Sequence, residues 1–356
     1  MIKRLLMGVS AVAALGLVIT GCGTGTQNAS GSNPSSGNST ASGTGSSAQW
    51  ATISVGLALS PPKAVFFAPY VAQAEGFFAK EHLKVKLVGM PNGLQTELGT
   101  TSGSIQFGFS SATDAIESAA ANAPIHAIWS YATKLDTECI SAPSIPSAKD
   151  LVGKPVGSTG TGGFSYTLLN ACLAPAGVSP SQVKPVNMQR SEFVPALVSN
   201  HIYAAVFHAD DAYTVLHAKP GLHVLEKEYQ AVPNWWYGGI TVLDSYAKAH
   251  TDVVERFLTA MVLADRWMYN PANKSKLIDI GVKASGEDRG AVTYAVNFII
   301  QGHLWPTGLG LSKTQEEFTA QQLKKFNEIK SIPSYSSVVN PTYIEAVLKK
   351  LGNSGS

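Results

Sequence analysis

Charge is scarce in this chain. Only 14% of its 356 residues are Asp, Glu, Lys or Arg, as 24 acidic against 26 basic side chains, for a formal net charge of +2. Two of the basic residues, Lys3 and Arg4, fall in an N-terminal segment read below as a leader, and removing them leaves a formally neutral chain. Such a chain offers no basic field for nucleic acid. Catalytic motifs are missing too. There is no G-x-S-x-G elbow, and neither Cys139 nor Cys172 is accompanied by a histidine pattern that would mark a reactive thiol. His201, His208, His217 and His223 cluster with Asp210 and Asp211. No two of these histidines have the i, i+4 spacing that puts a metal-binding pair on one helix face, so the residues argue for neither metal nor cofactor.

Nucleotide loops are also absent. The stretch GSTGTGGFSYTLL, residues 157–169, comes closest. A Walker loop would need a lysine where Gly163 stands, and the dinucleotide fingerprint would need a glycine at Ser165 with an acid about 20 residues on. Two readings remain. Either the stretch is a flexible turn, or it offers backbone N–H groups and the positive end of a helix to some other acceptor.

The N-terminus is informative by what it contains. A basic pair precedes an apolar run from Leu5 to Ile19, too short for a comfortable membrane span. Ile19-Thr20-Gly21-Cys22 resembles the bacterial lipobox, whose cysteine becomes lipidated. The next segment, to about residue 49, is rich in Gly, Ser, Thr and Asn and nearly free of apolar and charged side chains. It cannot bury enough surface to fold and reads as a tether. Residues 1–21 are thus expected to be a signal peptide and 22–49 a tether, placing the body outside the cytoplasm on a lipid anchor. Of the remaining cysteines, Cys139 and Cys172, two buried free thiols are favoured over a disulfide.

The body reads as alternating strands and helices. Strands are expected at 52–59, 83–88, 105–110 and 125–130, then near 136–142, 154–158, 183–188, 202–207 and 222–227, with helices between. This order implies α/β architecture with mostly parallel sheets. After WWYGGITVL the chain turns almost wholly helical. Val254, Phe257, Leu258, Met261 and Met268 share one face at helical spacing.

Several segments together resemble the extracytoplasmic solute-binding proteins of bacterial ABC importers. The branch in question takes in sulfonate-, taurine- and nitrate-binding proteins and binders of thiamine-pyrimidine precursors. The carrying segments are APYVAQAEGFFAKEHLKVKLV, SGSIQFGFSSATDAI, SAKDLVGKPVGSTGTGGFSYTLLNACLAPAGV, VPALVSNHIYAAVF and TDVVERFLTAMVLADRWMYNP, in family order over about 300 residues. The resemblance implies a two-lobed periplasmic-binding-protein-like fold, with a ligand cleft between lobes that close on a solute. Lobe 1 would be 50–132, lobe 2 133–234, and 235–356 would return to lobe 1 as a mostly helical tail. It implies a monomer that delivers its ligand to a membrane permease and its ATPase. Yeast pyrimidine synthases related to this family carry a cysteine-rich cluster that this chain lacks, which argues against an enzyme.

In open α/β sheets, ligands sit beyond the carboxyl ends of the strands. The connections there supply the candidate site: Phe66, Phe67, Ser111, Tyr131, Gly160, Thr161, Gly162, Gly163, Phe164, Ser165, Gln189, Asp210, Trp235 and Trp236. Tyr166 and Tyr237 fall in the same connections, as do the cations Lys63, Lys134 and Arg190. Aromatic side chains on loops often line clefts, although Phe67 or Trp236 can equally plug an interface. The expected ligand is a small organic anion such as a sulfonate, or a nitrate-like ion. The alternatives are an aromatic ligand, pyrimidine or flavin-like, and a secreted enzyme or a sensory module on the same scaffold.

Overall fold

The computed structural model describes residues 49–352. The expected signal peptide, the lipobox-like stretch with Cys22 and most of the expected tether lie outside them. Ten strands form two five-stranded sheets. They are β1 (Ala51–Leu57), β2 (Leu83–Gly89), β3 (Phe107–Ser111), β4 (Ile125–Ala132), β5 (Thr137–Ser141), β6 (Pro155–Ser158), β7 (Lys184–Asn187), β8 (Ala204–His208), β9 (His223–Lys227) and β10 (Gly238–Leu243). The first sheet has the order β2-β1-β3-β10-β4 and the second β7-β6-β8-β5-β9.

The two orders are the same order. In each sheet the fourth strand arrives from the other sheet, and it runs against its neighbours. β10 is antiparallel to both β3 and β4, and β5 to both β8 and β9. The remaining strands all point one way, as the alternating grammar predicts. No sequence repeat announces this structural one. Crossing takes place twice, from β4 into β5 and from β9 back to β10, so both crossovers meet where the strands of the two sheets end. That junction is where the resemblance places the ligand cleft.

The strands form where β-branched and aromatic residues collect, and all five residues of β3, β5 and β8 are buried. Helices cover the faces. Helix Thr251–Met268 turns Val254, Phe257, Leu258, Met261 and Met268 inward, all fully buried, as their spacing predicts. Gly76, at φ 72°, separates helix Phe67–Ala74 from helix Phe77–Lys80.

Two findings depart from the sequence reading. Cys139 in β5 and Cys172 in helix Gly163–Leu173 form a disulfide, with Cα atoms 5.7 Å apart, where two free thiols were expected. Cys172 is the penultimate residue of that helix, and the helix lies against β5, a proximity that spacing along the chain cannot reveal. The helical tail also serves more than the first sheet. Helix Arg289–Gly302 reaches the second, where the Tyr294 hydroxyl donates to Glu138 Oε2 of β5 at 2.8 Å and Phe298 meets Tyr229 edge-on at 4.9 Å.

Candidate functional site

The junction between the sheets is built around aromatic rings. Phe66 stacks on Tyr131 at 4.9 Å, Tyr131 meets Tyr237 edge-on at 5.6 Å, and Phe164 meets Tyr237 at 5.3 Å. Tyr131 is the penultimate residue of β4, Tyr237 precedes β10, and Phe164 is the second residue of helix Gly163–Leu173. The row therefore runs from one sheet to the other along both crossovers. Burial pushes both tyrosine hydroxyls well above their usual range, helped by Asp114 and Asp136 at Tyr131 and by Asp136 at Tyr237. They remain protonated and can donate.

Beside Tyr237 lies a pair that sequence reading missed. His208, the last residue of β8, shares a hydrogen bond from Nδ1 to Asp136 Oδ1 at 2.9 Å, and its ring lies 6.4 Å from that of Tyr237. The Asp136 carbonyl also accepts the Ala209 N–H at 3.0 Å, clamping the start of helix Ala209–Ala218. Both side chains are buried. Among the described residues, His208 Nε2 is buried and has no hydrogen-bond partner. In the sequence His208 stands out only as one of a histidine cluster, and nothing there reveals Asp136, 72 residues earlier, as its partner. The other three histidines turn elsewhere: His217 to the Tyr213 carbonyl, His223 to Ser141, and His201 to the surface.

Acids outnumber cations here. Lys63 Nζ lies 2.7 Å from Asp211 and 2.8 Å from Glu287, with Asp210 at 4.0 Å. Burial lowers the pKa of this ammonium, yet Asp210 and Asp211 outweigh burial and raise it. Asp210 also accepts the Ala64 N–H at 3.2 Å, and its own carboxyl is pushed up chiefly by burial. Lys134 is spent on the Gly302 carbonyl at 3.1 Å. Arg190, whose positive charge acts on Tyr237, makes no ion pair among the described residues.

The glycine turn forms the rim. Helix Gly163–Leu173 does begin there, with Gly163 at φ 71°, a conformation that favours glycine. Its first N–H is already taken, because Gly163 donates to Glu328 Oε2 at 2.9 Å. Glu328 follows helix Lys313–Lys325 in the tail. Its carboxyl is pushed up to about 7 by burial and by Glu117, itself pushed up to about 7 by burial and Asp114. The protein's own carboxylate thus occupies the position an anion would take at this helix end. Thr159 N–H is satisfied by the Ser165 hydroxyl at 3.2 Å, and Ser158 donates to the Gly160 carbonyl at 2.6 Å. Thr161 and Gly162 are exposed, and a side chain placed on Gly162 would meet open space.

Of the residues singled out in the sequence, the structure gathers Phe66, Tyr131, Phe164 and Asp210 at the junction, with the turn Gly160, Thr161, Gly162, Gly163 and Ser165 at its edge. It does not bring Phe67, Trp235 and Trp236 with them. Phe67 faces Gly281 of the tail, where a Cβ would stand 2.3 Å from its ring. Trp235 lies edge-on to Phe318 at 5.9 Å, and Trp236 donates from its indole to the Ser130 hydroxyl at 2.9 Å. All three fasten the tail or the first sheet. Ser111 caps helix Ala112–Ala120 in a reciprocal box with Asp114, and Gln189 is exposed, its N–H bonded to Glu192 at 2.7 Å.

Two α/β lobes joined by paired crossovers, with an aromatic junction between, define a two-lobed fold of the periplasmic-binding-protein type. The family model described as "NMT1/THI5 like" matches residues 63–274, more than half of the chain, and the chain belongs to that family. No curated protein matches it. Solved structures with the same fold include the alkanesulfonate-binding protein SsuA from Xanthomonas axonopodis pv. citri bound to MOPS. That likeness has a TM-score of 0.65 at 16% identity and covers 82% of this chain and 99% of that one. The periplasmic nitrate-binding protein NrtA from Synechocystis PCC 6803 has a TM-score of 0.70 at 11% identity, covering 85% and 89%. The desulfurization enzyme DSZB has a TM-score of 0.63 at 12% identity, covering 84% and 100%.

Proposed function

We propose that this protein is the extracytoplasmic solute-binding component of an ABC importer, tethered through a lipidated Cys22. It captures a small organic solute between lobes bounded near residues 132/133 and 234/235 and presents the closed form to a permease and its ATPase. The observation that carries this reading is the aromatic row Phe66–Tyr131–Tyr237–Phe164, laid along both crossovers from one sheet to the other. The sulfonate- and nitrate-binding proteins of the same fold support the transport role. Closure is an equilibrium that a ligand shifts by its differential affinity for the closed state.

Small-angle scattering with thermal unfolding tests the reading. A library solute that raises the melting temperature should also reduce the radius of gyration. Saturation at about 100 times the dissociation constant adds about 2.7 kcal/mol. Tight binding without compaction contradicts a cleft mechanism. A second reading, an enzyme, draws on the shared scaffold of DSZB and on the Asp136–His208 pair, which resembles an oriented base. Against it, His208 Nε2 has no hydroxyl or thiol within hydrogen-bond distance among the described residues, and Cys139 and Cys172 are bonded to each other. Turnover of any solute that binds would establish the enzyme instead.

A further inference from the structure

Charge is scarce in this chain, yet at one end of the second lobe it is all of one sign but for a single residue. The parallel strands of the second sheet point at the junction. The starts of β6, β7, β8 and β9 and the end of the antiparallel β5 therefore lie together at the far end. The segments that build this end, 142–154, 181–184, 199–203 and 218–223, hold four lysines (Lys149, Lys154, Lys184 and Lys219) and one acid, Asp150. Backbone bonds gather them. The Lys184 N–H donates to the Lys154 carbonyl at 2.8 Å, and the Tyr203 N–H to the Pro155 carbonyl at 2.8 Å. Lys154 lies over the Tyr203 ring at 5.2 Å, and Lys219 reaches the Val198 carbonyl at 2.8 Å. Among the described residues none of the four makes an ion pair, whereas Lys63, Arg256, Lys276, Arg289, Lys313 and Lys350 of the first lobe and tail all do.

A second observation falls in the same place. Val152 is 50% exposed, between Lys149 and Lys154. Its turn is firmly held: Leu151 is fully buried, Val152 N–H donates to the Lys149 carbonyl at 3.3 Å, and Gly153 N–H to the Gln182 carbonyl at 2.7 Å. We propose that this end of the second lobe is a contact surface for an anionic lipid bilayer. The lysines meet lipid phosphates, and Val152 enters the headgroup layer. A protein partner would bury a broader apolar area, but Val152 is the one large apolar side chain exposed on this lobe among the described residues.

The anchored reading, on which the proximity of a membrane rests, is compatible with such a contact. The chain enters the body at β1, at the far end of the first lobe. Residues 22–48 can extend to about 90 Å at most, more than the roughly 50 Å breadth of a body of about 300 residues. The second lobe can therefore touch the membrane that holds the anchor.

The test uses residues 22–356 with Cys22→Ser, a mature chain that carries no lipid. Co-sedimentation compares vesicles of phosphatidylcholine alone with vesicles holding about one-third phosphatidylglycerol. The protein should bind the second and not the first, and binding should fade between about 0.02 and 0.5 M salt. Lys149→Gln with Lys154→Gln should weaken it at least about tenfold, and Val152→Asp should weaken it too. Lys248→Gln with Lys283→Gln makes the same change of charge at exposed sites elsewhere and should leave it unchanged. All five positions are exposed, so the variants should keep the wild-type melting temperature.

Failure to bind the anionic vesicles overturns the proposal. So does equal weakening by the Lys248 and Lys283 pair, which would make the effect one of net charge. Binding to soluble polyphosphate but not to vesicles would overturn it in favour of a polyanion in solution. None of these outcomes touches the lipid anchor or the solute-binding reading, which answer to processing at Cys22 and to compaction by a solute.

Discussion

The rim and the floor of the junction make different use of polar groups. At the rim, the glycine turn looks built for a ligand, yet the chain itself satisfies it: Glu328 holds the Gly163 N–H and Ser165 holds the Thr159 N–H. At the floor, the residues look ordinary in sequence, yet His208 Nε2 is left buried and unanswered. A buried polar group is normally paired, because leaving it unmade costs about 1–3 kcal/mol. Among the described residues, Glu328 Oε1 at the rim is buried without a partner as well, so the two regions differ in which backbone donors the chain itself answers rather than in having an unanswered atom.

The largest effect separating floor from rim is expected from Tyr131→Ala. Tyr131 touches Phe66, Phe109 and Tyr237. Its removal should cost about 3–5 kcal/mol in denaturant unfolding and abolish compaction by any solute. An unfolding midpoint within error of wild type would mean that the aromatic row does not hold the junction.

Next comes the covalent tie between floor strand and rim helix. The two cysteines are 33 residues apart in sequence. Reduction, or the double change Cys139→Ser and Cys172→Ser, should lower stability by about 3–4 kcal/mol from loop-closure entropy. Urea unfolding with and without reductant measures this, and coincident curves would show that the bond is not formed in solution.

A smaller effect is expected from pH. Burial pushes Glu97 up to about 8, and the rim acids Glu117 and Glu328 up to about 7. Their folded values lie above the unfolded carboxyl value, so the native chain binds more protons between them. These groups give their full contribution below about pH 4.5 and lose it as pH rises through about 7 to 8, on the order of 1–3 kcal/mol each. The melting temperature should accordingly fall between pH 5 and pH 8, and Glu328→Gln should flatten the slope. A rising melting temperature over that interval would reverse the assignment.

The smallest effect is expected from Gly162→Val. The new side chain enters open space at an extended backbone position, φ −167°, so the protein should fold normally. If the floor dominates, affinity should change by less than about threefold. A tenfold loss, about 1.4 kcal/mol, would return the ligand to the rim.

Local pattern made much of this fold legible. Alternating β-branched residues located the strands, and the apolar face of TDVVERFLTAMVLADRWMY announced its helix. Pairings across long separations were hidden. Cys139 and Cys172 meet only because a helix lies on β5, and Asp136 reaches His208 across 72 positions. The aromatics show the same divide. Phe66 and Phe67 are adjacent and alike, yet backbone direction sends one to the junction and the other to Gly281. Composition finds aromatic loops, but only the fold sorts rings at the junction from plugs elsewhere.

Helix Arg289–Gly302 has a mechanical consequence. It belongs to the tail, holds Glu138 and Tyr229 of the second lobe, and leads to Trp305, whose indole donates to the Val65 carbonyl of the first at 3.2 Å. The tail is thus a third connection between the lobes, set beside the two crossovers. Any displacement of one lobe against the other would have to break the Tyr294 or the Trp305 contact.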